Sequence, residues 1–107
     1  MQIHQSAEDY LETILMLIQR MGRVRSIDVV NELGYTKASV SIAMKKLREN
    51  GYIAVDGEGN LTLLEPGREI AERIYSRHRL LTHFFVQLGV DEEVAAEDAC
   101  KAEHILS

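Results

Sequence analysis

The sequence has 107 residues, 46% of them hydrophobic, a single cysteine and a formal net charge of −5, which fits one domain with a modest core, extended by a helical arm, and argues against a second independent core. Apolar runs only a few residues long exclude a membrane-spanning helix, and the Met1-Gln2-Ile3-His4 start has neither the basic nor the apolar part of a secretory signal. Cys100 has no intrachain partner for a disulfide, so the expectation is a soluble, cytoplasmic protein whose one cysteine is a free thiol or a metal ligand.

Ser6 followed by Asp9 has the form of a capping box, and Tyr10, Ile14, Leu17, Ile18 and Met21 then recur at helical spacing, predicting a first helix from Ala7 to Met21 that Gly22 ends. Ser26 is expected to cap a short second helix through Leu33, with Gly34 as its stop. Thr36 is expected to cap a third, in which Val40, Met44 and Leu47 form an inward stripe and Gly51 terminates. Two short helices joined by a tight turn containing glycine are the sequence form of a helix-turn-helix. Tyr52–Val55 and Leu61–Leu64 read as strands, and Asp56-Gly57-Glu58-Gly59-Asn60 between them is built for a hairpin loop, the candidate wing. Pro66 suits the first turn of a long fourth helix that sets Ile70, Ile74, His78, Leu81, Phe85 and Leu88 roughly along one face and stops at Gly89. Asp91 then caps a fifth helix, with Glu92 and Glu93 near the positive end of its dipole. The predicted fold is mainly α with a small β-hairpin: a winged helix-turn-helix over residues 1–65, followed by a helical region over 66–107.

A net charge of −5 argues at first sight against nucleic acid, because a phosphate backbone attracts cations. Its distribution points the other way. Between Arg20 and Gly51 stand seven basic and three acidic residues, a local charge of +4 that leaves −9 for the rest of the chain. On the third helix the apolar stripe leaves Lys37, Ser41, Lys45 and Arg48 on another face, with Thr36 and Ser39 near its N-terminal end. Helix-turn-helix proteins put that end into the major groove, where hydroxyls reach phosphates or base edges and lysines neutralise phosphate charge. The expected DNA contacts are Thr36, Lys37, Ser39, Ser41 and Lys45. The bland reading makes Thr36 only a cap and the lysines only solvated, and the order helix, helix, turn, helix, hairpin favours the DNA reading over it. The wing tip carries Asp56 and Glu58 and no Lys or Arg, so the third helix is expected to supply most of the grip.

Cys100, Glu103 and His104 stand at i, i+3 and i+4 of the fifth helix, which puts their side chains on one face where they can converge on one ion. Asp9 and Glu12 are i and i+3 on the first helix, and His78 interrupts the apolar stripe of the fourth. Singly, each has a bland explanation: a capping partner, a surface charge, a core histidine, a small buried thiol.

Together, the run Ala7-Glu8-Asp9-Tyr10-Leu11-Glu12-Thr13-Ile14, the helix-turn-helix, the His78 segment and the closing Cys100-Lys101-Ala102-Glu103-His104 resemble the diphtheria-toxin-repressor and manganese-transport-regulator family, over nearly the whole chain and in the same order. That resemblance implies a homodimeric repressor dependent on Mn(II) or Fe(II), binding a palindromic double-stranded operator, in which residues 66–107 bind metal and dimerise. It also implies metal ligands at Asp9, Glu12, His78, Cys100, Glu103 and His104. Asp9, Glu12 and His78 look like the manganese branch, which has a glutamate where Cys100 stands; the cysteine looks like the iron branch, and a thiolate is the softer ligand. Thr82 and Ala96 replace an acidic ligand and a histidine of the iron branch's ancillary site. Members of the family continue beyond the position of Ser107 into further helices of the dimer interface, so the helical region is expected to be short or truncated. The alternatives are a metal-independent winged-helix regulator answering to a small molecule or protein partner, and a helical protein-interaction module. An enzyme is not expected: there is no paired nucleophile and base and no phosphate-cradling glycine loop.

Overall fold

The structure, a computed structural model, describes residues 5–87, with side-chain burial from residue 6 to residue 84. Its elements are α1 (Gln5–Met21), α2 (Ser26–Leu33), α3 (Lys37–Glu49), β1 (Ile53–Val55), β2 (Leu61–Leu63) and α4 (Glu65–Gln87). The described residues are mainly α with one antiparallel hairpin, as their periodicities predict. The expected fifth helix, with Cys100, Glu103 and His104, lies outside the described residues. Two compact units divide the chain, Met1–Ala71 and Glu72–Ser107.

In the first unit, α1, α2, α3 and the hairpin pack on one another and bury Leu11, Ile14, Val24, Val29, Val40, Met44, Leu47, Ile53, Leu61 and Leu63. The helix α3 owes its place to its two ends. Thr36 has extended backbone and its hydroxyl accepts the Ser39 N–H at 3.1 Å, which satisfies one of the amides that open a helix. At the other end Gly51 takes the left-handed conformation, φ 80°, and the amides of Gly51 and Tyr52 turn back to the carbonyls of Arg48 and Leu47, a Schellman closure. That turn delivers the chain into β1, whose partners in β2 are Ile53 with Leu63, Ala54 with Thr62 and Val55 with Leu61. Tyr52 and Leu64, expected within strands, lie just outside them, though the Leu64 amide still donates to the Tyr52 carbonyl at 3.0 Å.

Two expected caps are displaced. Ser6 lies inside α1, one residue after its start, and so does not cap it. Ser26 is the first residue of α2, whose cap is Arg25 in extended conformation; the Arg25 amide donates to the Asp28 carboxylate at 2.8 Å. Arg25 is extended because a third short segment joins the hairpin: Arg25 bridges Asn60, and the Leu61 amide donates to the Val24 carbonyl at 2.7 Å. The first turn of α4 closes the unit, with Gly67 buried against the backbone of Tyr52.

In the second unit, Ile74 is buried on α4, the Arg79 guanidinium lies 5.8 Å from the centre of the Tyr75 ring, and Leu80 and Phe84 are exposed. Among the described residues, no helix is long and apolar enough to cross a membrane.

Candidate nucleic-acid interface and metal-binding residues

All five expected DNA contacts, Thr36, Lys37, Ser39, Ser41 and Lys45, are exposed at the start or on the outer side of α3, whose opposite side carries the buried Val40, Met44 and Leu47. Thr36 also donates its own hydroxyl proton to Ser39 Oγ at 2.9 Å. Thr36 thus holds the end of the helix, with the Ser39 hydroxyl exposed beside it. Beside α3 run two open grooves. One, of 360 Å³, is lined by Ser26, Ile27, Val30, Lys37 and Ser41; the other, of 220 Å³, by Ser26, Ser41, Met44, Lys45, Arg48 and Val55. The start of α2, the outer side of α3 and the end of β1 thus share a hollow edged by Lys37, Lys45 and Arg48. Lys45 stands 4.0 Å from Glu49, a weak exposed pair. Arg20, by contrast, is turned to Glu32 at 3.4 Å, a contact that joins α1 to α2.

Asp56 of the wing has a different role from the one its charge implies. Asp56 Oδ1 accepts the amides of Asn60 and Glu58, both at 2.9 Å, and Oδ2 accepts the Asn60 side-chain amide at 3.1 Å, so this carboxylate folds the hairpin loop. Those bonds, that of the Asn60 amide first, hold the Asp56 carboxyl below the usual carboxylate range, and the charge of Arg25 adds to them. Arg23 and Arg25, both exposed, place positive charge on the segment beside the wing, where the tip itself offers none. Neither was marked as a contact by the sequence, although both belong to its basic stretch.

Asp56→Ala should lower thermal stability by opening this loop. With the folded-state pKa depressed, the contribution is present above the ordinary carboxylate range and fades as pH falls through the depressed value. The gap in melting temperature between parent and Asp56→Ala should therefore be widest near neutral pH and close in acid; a gap independent of pH would contradict it.

Of the expected metal ligands, Asp9 is half-buried and Glu12 buried on α1, and His78 is half-buried on α4. Cys100, Glu103 and His104 lie outside the described residues, and among the described ones no three His, Cys, Asp or Glu residues gather as a metal site. Glu8, not singled out from the sequence, is buried as deeply as Glu12. The signal was present, since Glu8, Leu11, Glu12 and Leu15 fall at i, i+3, i+4 and i+7 on one helical face. Burying two carboxylates within one turn demands compensating hydrogen bonds or positive charge. Between Asp9 and Leu11, Tyr10 directs its ring edge-on to Tyr35, with centroids 5.9 Å apart and planes at 76°. Burial, then Tyr35 and Asp9, raise the Tyr10 phenol pKa, which keeps it neutral. Tyr35 directly precedes the cap of α3, so the helix bearing Asp9 and Glu12 touches the residue just before that cap.

Residues 2–61 match the family model described as the iron-dependent repressor N-terminal DNA-binding domain, and residues 64–107 match the iron-dependent repressor metal-binding and dimerisation domain. The chain belongs to the iron-dependent repressor family. An HTH-type transcriptional regulator of Methanocaldococcus jannaschii is 38% identical over 105 residues, covering 96% of this chain and 84% of that protein. The HTH-type transcriptional regulator MntR of Bacillus subtilis is 37% identical over 102 residues, 95% of this chain and 72% of the relative. Among solved structures, that of the manganese regulator SloR superposes with a TM-score of 0.80 at 26% identity, over all of this chain and 49% of that one. IdeR of T. acidophilum gives 0.80 at 25% identity, over 94% and 47%. The chain thus spans about half the length of those two structures. As a member of the iron-dependent repressor family it is a metal-dependent, DNA-binding transcriptional regulator with a dimerisation segment, and not an enzyme.

Proposed function

We propose that this chain is a cytoplasmic, homodimeric repressor whose grip on a palindromic operator strengthens when Mn(II) or Fe(II) is held by Asp9, Glu12, His78, Cys100, Glu103 and His104. Residues 1–65 form the reading head and residues 66–107 the metal-binding and dimerisation region. The observation that carries the reading is the match, in chain order, of both halves to the DNA-binding and the metal-binding models of one family. Exposed cations on α3 and a half-buried or buried acid pair on α1 support it from the residues themselves.

The donor set suits such an ion: three carboxylates and two imidazoles favour manganese or iron, and the Cys100 thiolate tilts the preference toward iron. A divalent cation supplies the positive charge that offsets repulsion among these carboxylates and the thiolate. Asp9 and Glu12 bring α1 into the set. Through Tyr10 and Tyr35, α1 also supports the start of α3, where Lys37, Ser39, Ser41 and Lys45 contact the duplex and Thr36 holds the helix end. In a dimer, fixing α1 fixes the spacing of two reading heads, the geometric requirement for reading a palindrome.

Calorimetric titration of chelator-treated protein with Mn(II) and, anaerobically, Fe(II) tests the metal half of the proposal. Saturable binding that disappears in His104→Ala is expected, and equal binding by parent and mutant would remove His104 from the site.

A further inference from the structure

Lone exposed apolar side chains are ordinary on protein surfaces, so an isoleucine in water needs no explanation in general. Ile42 is a special case because of its neighbours. It is 57% exposed in the middle of α3, on the side away from Val40, Met44 and Leu47. One turn back lies the exposed Ala38, and one turn on lie Lys45 and Lys46, with Ser39 and Ser41 beside it; Ala38 and Ile42 form a short apolar strip rimmed by cations and hydroxyls. The helix carries Lys37, Lys45, Lys46 and Arg48 against a single acid, Glu49, at its last residue. A surface of this charge is complementary to a polyanion and opposes docking of a second α3, whose charge has the same sign.

The major groove of a DNA duplex offers hydrogen-bonding edges and one apolar feature, the C5-methyl group of thymine. We propose that Ile42 reads a thymine methyl in each operator half-site, making it a specificity-determining residue that discriminates by apolar contact where its neighbours on α3 discriminate by hydrogen bond or charge. The inference deepens the proposed DNA-binding function and rests on it. Lysines 45 and 46 supply affinity that is indifferent to sequence, whereas removing one methyl group from the correct base subtracts only the contact made to it. Burial of a single methyl corresponds to a change in affinity on the order of fourfold.

The test separates this inference from the reading beneath it. Duplexes recovered by selection from a random pool with the parent protein and Mn(II) are remade with each thymine replaced in turn by deoxyuridine, which removes the C5-methyl and nothing else. The parent should lose on the order of fourfold in affinity at one thymine of each half-site. Ile42→Ala should bind the thymine duplex more weakly by a comparable factor and no longer distinguish it from the deoxyuridine one. The variant should fold, since the side chain is exposed and alanine is the better helix former. A parent blind to every thymine-to-deoxyuridine exchange, or an Ile42→Ala that keeps the full discrimination, overturns the inference while salt-dependent duplex binding leaves the DNA-binding function standing. An altered oligomeric state in Ile42→Ala with unchanged methyl discrimination also overturns it, assigning the strip to a protein contact. Failure of the parent to bind any duplex overturns both.

Discussion

Glu103→Ala is expected to abolish the gain in operator affinity that Mn(II) or Fe(II) gives the parent, while leaving the weak, metal-independent affinity in place. Effector and operator can be coupled only through a difference in metal affinity between the DNA-competent and incompetent arrangements, and about 3 kcal/mol of such coupling gives roughly a hundredfold gain. In the proposed ligand set Glu103 stands three residues after Cys100 and directly before His104, so its replacement by alanine would remove one of the three carboxylates offered to the ion. The mutated position is remote in sequence from the first compact unit, Met1–Ala71, whose core is Leu11, Ile14, Val29, Val40 and their neighbours. Thermal unfolding of the reading head and its binding to DNA in chelator should therefore match the parent. Fluorescence anisotropy on the selected duplex, with metal and with chelator, reads both quantities. A Glu103→Ala protein that answers to metal as the parent does would contradict the ligand assignment.

Gly67→Ala should be the most damaging small substitution in the first compact unit. A Cβ at position 67 would fall far inside contact with the carbonyl oxygen of Tyr52 and 3.0 Å from its carbonyl carbon. The obstacle is backbone on a residue already fixed on two sides, since the Tyr52 amide closes α3 and its carbonyl accepts the Leu64 amide. No rotamer change relieves it; α4 or the hairpin must move. Alanine gains about 1 kcal/mol over glycine in a helix, and overpacking against rigid structure costs about 3 kcal/mol, so the clash wins. A net loss of about 2 kcal/mol corresponds to a fall of roughly 10 °C in melting temperature for a chain of this size. Gly57→Ala is the control, because a Cβ there meets nothing within 4 Å. Equal melting temperatures for Gly67→Ala and Gly57→Ala would show that α4 does not approach Tyr52 this closely.

The legible part of the fold was what local chemistry dictates. The Val40, Met44 and Leu47 stripe, the Thr36 cap, the left-handed Gly34 and Gly51 and the acidic hairpin loop each depend on residues a few positions apart. What escaped depends on residues far apart in sequence. Arg25 rather than Ser26 caps α2 because the Val24-Arg25 segment is held extended by Asn60 and Leu61, a pairing that no local pattern announces. The same pairing brings Arg25 toward Asp56, so the wing's charge cannot be judged from its own residues. In the candidate site, the resemblance pointed to Asp9 and Glu12 and helical spacing to the exposed face of α3, while Glu8 was not singled out. Its burial follows from its sharing a face with Leu11 and Leu15, a relation that the reading of Asp9 and Glu12 alone did not include. The close approach at Gly67 is a tertiary fact of the same kind.

In the proposed mechanism an ion held partly by α1 governs the interface built on α3. The most direct measurement is the affinity of the parent protein for its selected duplex at fixed ionic strength, taken in excess chelator and again with saturating Mn(II). Binding roughly a hundredfold tighter with the metal is expected. The same affinity under both conditions would contradict it, leaving a winged-helix DNA binder whose grip does not depend on an ion.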